Sequence, residues 1–193
     1  MEPRTPITSL RLDPKALRVL AHPLRSQLLA RLRTGGPATA TSLAQVLDTN
    51  TGATSYHLRK LASVGLVTET DDGKGRERWW RASTDAHEWH ERDAAGDPGT
   101  AAASDWLKRH YLRSFIDRYE RWLDAADAWP IEWRAAAESG DTTLRGTPED
   151  FAAFHRELLD LFDRYRDRSP GSPEARRVEF DYHTFPSLEP GDR

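Results

Sequence analysis

Residues 51–83, TGATSYHLRKLASVGLVTETDDGKGRERWWRAS, decide the fold. At about 100° per residue, Thr54, Leu58, Leu61 and Ala62 fall on one side of a helix from about Gly52 to Val64, and Ala53, Tyr56, Arg59, Lys60 and Ser63 on the other. The first set is predicted to be core. The second offers two cations, a phenol and a hydroxyl, groups that suit phosphates and base edges when a helix enters a major groove about 12 Å wide. Gly65 suits the end of that helix, Leu66-Val67-Thr68 a strand, DDGKGRE a glycine-rich turn, and ERWWRAS a returning strand. The hairpin so formed has a basic tip: Lys74, Arg76 and Arg78 stand where a ribbon beside the helix reaches flanking phosphates.

Working towards the N-terminus, TSLAQVLD at 41–48 reads as a short helix capped by Thr41 or Ser42, so that it and the next helix form a helix-turn-helix. Asp13-Pro14 combines an N-cap residue with proline at the first helical position and opens a helix carrying Leu17, Leu20 and Ala21. His22-Pro23 interrupts it. Leu24, Leu28, Leu29 and Leu32 then repeat at helical spacing until Gly35-Gly36-Pro37.

The stretches LRVLAHPLRSQLLARL, TSLAQVLD, ATSYHLRKLASVGLV and TETDDGKGRERWWRAS, in this order and spacing, resemble the winged-helix regulators of the ArsR/SmtB type over about residues 13–83. The resemblance implies a homodimer, a repressor on an imperfect inverted repeat of double-stranded DNA, with Thr51, Ser55, Tyr56 and Arg59 at the positions that approach bases. His57 also matches the motif, where it suits packing within the bundle as well as contact with DNA. One departure matters: metal-sensing relatives carry a cysteine pair where this chain has Ala44-Gln45-Val46. With no Cys anywhere, a thiolate metal site, a disulfide and a cysteine nucleophile are all excluded. The segment DAHEWHE at 85–91 would place His87 and His90 at i and i+3 if helical, but its spacing differs from the family's carboxylate and histidine site. Neither a metal nor any other cofactor is expected.

Charge divides the chain. Residues 1–83 carry 13 Lys/Arg against 7 Asp/Glu, whereas residues 84–193 carry 15 against 24, so a net charge of -3 conceals a basic part joined to an acidic one. That asymmetry suits a nucleic-acid module fused to an assembly or regulatory module. The sequence predicts a winged helix-turn-helix domain over 1–92, a linker at 93–104 (DAAGDPGTAAAS being rich in small residues), and a helical region over 105–193 for dimerisation and effector binding.

In the acidic region Ser104 is placed to cap a long helix with Leu107, Tyr111, Phe115, Tyr119, Trp122 and Leu123 on one face. PIEWRAAAE gives a shorter helix, and Thr147-Pro148 opens another bearing Phe151, Phe154, Leu158, Phe162 and Tyr165. Loops are expected at 138–148 and 168–175. RRVEFDYHTFP alternates Val178, Phe180 and Tyr182 with Glu179, Asp181 and His183, the period of a half-buried strand. Trp106, Trp122, Trp129 and Trp133 suit either a core or a pocket for an apolar small-molecule effector. The predicted fold class is therefore mainly α with a small β-hairpin, ending in a strand.

No phosphate loop, serine elbow or His-Glu-x-x-His motif occurs, so catalysis is not expected. No apolar run approaches the roughly 20 residues of a membrane span, and MEPRTPITSLRLD lacks the apolar stretch of a secretory signal, which points to a cytoplasmic protein without membrane association. A winged helix used only for protein–protein contact is the alternative to a DNA-binding one.

Overall fold

The computed structural model describes residues 8–70, 77–94, 96–166, 168 and 171–187. The chain divides into two compact units, 1–113 and 114–193.

In the first unit Asp13 caps α1 (Pro14–Leu20), its carboxylate accepting from the Ala16 amide at 2.7 Å. Helix α2 (Pro23–Gly35) follows at once, and Gly36 ends it with φ 78°, a conformation a residue with a Cβ adopts at a cost. Helix α3 (Ala40–Val46) is capped by Thr39, not by Thr41 or Ser42 as the sequence suggested. The reason is β2 (Ala38–Thr39), which pairs with β4 (Trp79–Ala82), holding Thr39 extended. In that conformation its hydroxyl accepts from the Ser42 amide at 3.1 Å while the Ser42 hydroxyl accepts from the Thr39 amide at 3.1 Å. Asn50 caps α4 (Thr51–Ala62), with its side-chain oxygen 2.8 Å from the Ala53 amide.

Strand β3 (Val67–Thr70) pairs antiparallel with β4, giving a three-stranded sheet in the order β2-β4-β3. Leu17, Leu20, Leu28, Leu29, Leu32, Leu43, Leu58, Leu61, Leu66, Val67 and Trp80 form the core under α4 and this sheet. Fully burying a leucine is worth about 1.5 to 3 kcal/mol, so this cluster fixes α4 by its inner face and leaves the outer one exposed.

Of DAHEWHE only the last residue, Glu91, is helical. Residues Ala86–Glu88 form β5, parallel to β1 (Ser9–Arg11), with Leu10 opposite His87. Arg33 from the end of α2 donates through Nη1 to His87 Nδ1 at 2.6 Å and through Nε to the Thr84 carbonyl at 3.0 Å. Accepting at Nδ1 leaves His87 Nε2–H to donate to the Tyr111 hydroxyl at 2.9 Å. Burial, reinforced by Arg33, holds His87 down to about 3, so the ring is neutral at physiological pH.

Within the linker expected at 93–104, Asp93 and Ala94 end α5 (Glu91–Ala94), and residues 98–104 open α6 (Pro98–Ala125). Ala94, Thr100, Ala103 and Ser104 are buried, and the division between units falls at 113/114. Asp97-Pro98 is the same cap-and-proline signal that opens α1 and α8 (Pro148–Tyr165), obscured by the glycines and alanines around it. Asp97 accepts from the Gly99 amide at 3.3 Å and from the Thr100 hydroxyl.

The second unit holds the rest of α6, a 3-10 turn at Ala126–Ala128, α7 (Ile131–Ala136) and α8. Thr147 and Asp150 make a reciprocal capping box at the start of α8. The predicted strand at 178–182 does not form. Among the described residues this stretch has no sheet partner, and Val178 and Phe180 are 70% and 66% exposed. It lies extended beside the helices: Arg118 bridges Glu179 at 2.6 Å and Asp181 at 2.9 Å, and Phe162 meets Phe180 edge-on with centroids 5.0 Å apart. Trp122, Trp129 and Trp133 pack edge to face on one another, with centroids 5.8 and 6.4 Å apart.

Candidate nucleic-acid interface

Helix α4 carries the residue types of the site on one face because its opposite face is consumed by the core. Thr54, Leu58 and Leu61 are buried, while Thr51, Tyr56, Arg59 and Lys60 are exposed and Ser55 is half-buried. Antiparallel pairing of β4 with β3 then brings the wing back beside α4. Between them lies a cleft of about 330 Å³ lined by Thr39, Ala40, Thr41, Thr51, Ser55, Arg59, Glu77, Arg78 and Trp80.

Four of the predicted residues therefore meet in one place: Thr51, Ser55 and Arg59 from α4 and Arg78 from the wing. Tyr56 and Lys60 are not among the cleft's lining residues. Lys60 Nζ stands 5.6 Å from the Tyr56 ring centroid, a cation–π pair exposed on α4. Lys74 and Arg76 lie outside the described residues.

The cations differ in what already holds them. Arg78 Nη1 is 3.0 Å from Glu69 Oε1, both side chains largely exposed, so a phosphate would compete with a carboxylate for this guanidinium. Arg59 makes no side-chain hydrogen bond or ion pair among the described residues, and its donors are uncommitted. Thr39, Thr41 and Glu77 are lining residues that sequence reasoning missed. The first two sit at the start of α3, reached only because β2 joins the wing sheet; a two-residue strand leaves no periodic trace. Glu77 stands where the turn DDGKGRE and the returning strand ERWWRAS overlap, and its charge opposes phosphate and suits a base donor such as the cytosine amino group.

His87 and His90 do not form a metal centre in this arrangement: both ring nitrogens of His87 are engaged by Arg33 and Tyr111. Among the described residues no group of three or more His, Asp or Glu side chains is placed to hold a metal ion. No described helix is long and apolar enough to cross a membrane.

Three helices, a turn between α3 and α4, and a hairpin at the flank of α4 define a winged helix-turn-helix domain. Residues 20–70 match the family described as a helix-turn-helix domain, in keeping with the ArsR/SmtB-type resemblance carried by the sequence. No curated protein matches the chain significantly. Among solved structures the chain is similar to the homodimeric winged helix-turn-helix DNA-binding domain of a possible ArsR-family transcriptional regulator from Mycobacterium bovis, at 19% identity over 54% of this chain and 76% of that one, with a TM-score of 0.34. It is also similar to a possible transcriptional regulator for arsenical resistance, at 30% identity over 65% of this chain and 98% of that one, with a TM-score of 0.32.

Proposed function

We propose that the chain is a sequence-specific DNA-binding transcriptional regulator, a repressor that occupies an inverted-repeat operator as a homodimer. Thr51, Ser55, Tyr56 and Arg59 approach base edges in the major groove, while Lys60 and Arg78, with Lys74 and Arg76 of the wing, neutralise phosphates. The observation that carries this reading is the cleft: it sets α4 hydroxyls and the uncommitted Arg59 against Arg78 of the wing, on a scaffold whose core leaves that face open.

An exposed face of α6 supports assembly through the helical region. Ile116, Tyr119 and Leu123 recur at intervals of three and four residues and are 36% to 56% exposed, the spacing of a helix seam awaiting a second helix. A second copy of the chain supplies it in this reading, and the operator's half-site spacing reports the resulting geometry.

The test is a fluorescence-anisotropy titration of the full chain with labelled duplex from its own upstream region. Saturable binding whose log affinity falls linearly with log salt is expected. No binding at low salt would overturn the reading and favour a protein-binding winged helix.

A further inference from the structure

Beside Tyr56, on the same helix as the proposed base contacts but not in the wing cleft, three nitrogen-bearing side chains converge. His22 at the start of α2 and His57 of α4 have ring centroids 4.5 Å apart, inclined at 38°. Arg25, one turn into α2, places Nη1 3.4 Å from His57 Nδ1 and donates through Nε to the Val19 carbonyl. His22 Nδ1 is buried and has no hydrogen-bond partner. The groups facing this cluster are His22 and Arg25 from α2, and Tyr56, with Lys60 over its ring, from α4. Among the described residues none of these cationic groups is paired with a carboxylate.

An arginine drawn partly out of water without a counter-charge is a costly arrangement that an anion would relieve, and the unpartnered ring nitrogen beside it becomes a donor to that anion once protonated. We propose that His22, Arg25 and His57 form a second anion site on the α4 side of the domain, which takes a backbone phosphate of DNA and gains a proton as it does so. In the unliganded protein, burial first and the neighbouring positive charge second hold both histidines below their ordinary values, so they are neutral near pH 7. A phosphate against Arg25 reverses the sign of the local field. One imidazole then gains a proton and donates to the phosphate oxygens, Arg25 Nη1 turning from His57 Nδ1 to the phosphate where His57 is the ring protonated, so the complex binds more protons than its parts and affinity rises as pH falls.

This inference rests on the DNA-binding reading, and the experiment separates the two. Affinity of the full chain for its upstream duplex is measured at pH 6 and pH 8 at one ionic strength, for the wild type, His57→Gln, His22→Asn and Arg25→Gln, each checked for an unchanged thermal midpoint. The wild type is expected to bind about three- to tenfold tighter at pH 6, up to about a decade per pH unit for one proton taken up. His57→Gln and His22→Asn should flatten that difference, and Arg25→Gln should reduce the salt slope by about one. Equal wild-type affinity at both pH values, or a pH effect that survives in both histidine variants, overturns the site. If the wild type binds no DNA at any pH, the regulator reading fails and inorganic phosphate decides the site: movement of the His22 and His57 ring signals in an NMR titration upholds it, and unmoved signals overturn it.

Discussion

The two units are built on different terms. Residues 8–113 enclose a leucine core in which Leu20, Leu28, Leu58, Leu61, Leu66 and Leu107 are fully buried, whereas none of the described residues from 114 to 187 is buried. Both carry amphipathic helices; α8 is the more regular in its apolar spacing, yet it buries nothing completely. Amphipathicity therefore reports that a face wants a cover, not that the same chain supplies one. The first unit satisfies its own helices and can present a polar face to a ligand. The second leaves Ile116, Tyr119, Leu123, Phe154, Leu161 and Tyr165 at the surface, which suits a region that assembles.

The largest way to break this contrast is a cavity in each unit. Leu58→Ala should lower unfolding stability by about 2 to 5 kcal/mol in urea denaturation of dilute protein. Phe162→Ala, which removes a half-buried ring, should cost about 1 kcal/mol or less. Equal costs would mean that α8 is as well covered in solution as α4.

A second difference should appear with pH. His87 is neutral in the folded first unit, with a value near 3, while the unfolded chain protonates it near its ordinary 6.5. Below that pH the unfolded state binds the extra proton, so stability is complete above about pH 6.5 and declines towards pH 3. His87→Asn should be less stable at neutral pH and show a shallower decline on acidification, read as the thermal midpoint at intervals from pH 7 to pH 4.

Hydrogen exchange sharpens the comparison further. Amides of α2 and α4 should exchange only at the global unfolding limit at every protein concentration. Those of α8 should exchange faster in dilute protein and slow as concentration rises, if a second copy covers them. Concentration-independent exchange of α8 would remove the assembly role of this region.

The smallest effect expected is a gain. Thr54 is fully buried in α4 and its hydroxyl has no hydrogen-bond partner. Thr54→Val should stabilise the first unit by about 1 kcal/mol in the same urea assay without changing the exposed face.

The first unit was largely legible because each of its signals is local. Asp13-Pro14, the leucine spacing of α2, the polar and apolar halves of α4 and the glycine-rich turn between two β-forming runs each act within a few residues. What escaped depends on distant partners. β2 and β5 exist because β4 and β1 lie beside them, and His87 is extended and buried because Arg33 and Tyr111 reach it from two helices. The start of α6 was hidden because Ala101, Ala102 and Ala103, good helix formers, stand next to glycines that read as a linker. At 178–182 alternation predicts a strand, but period two also describes an extended chain whose alternate side chains meet different helices: Phe180 and Tyr182 reach Phe162 of α8, and Glu179 and Asp181 reach Arg118 of α6. Of the cleft's lining, Thr51, Ser55, Arg59 and Arg78 are residues the sequence singles out; Thr39 and Thr41 needed the sheet that brings α3 to the wing.

The account turns on α4 and the wing acting together on DNA, and one titration addresses it most directly: salt-dependent anisotropy of the wild type, Arg59→Ala and Arg78→Ala on the upstream duplex and on a scrambled duplex. Arg59→Ala should abolish most of the preference for the upstream sequence, whereas Arg78→Ala should weaken both duplexes alike and flatten the salt slope by about one. Wild-type binding that does not distinguish the two duplexes, or variants that behave identically, would contradict it.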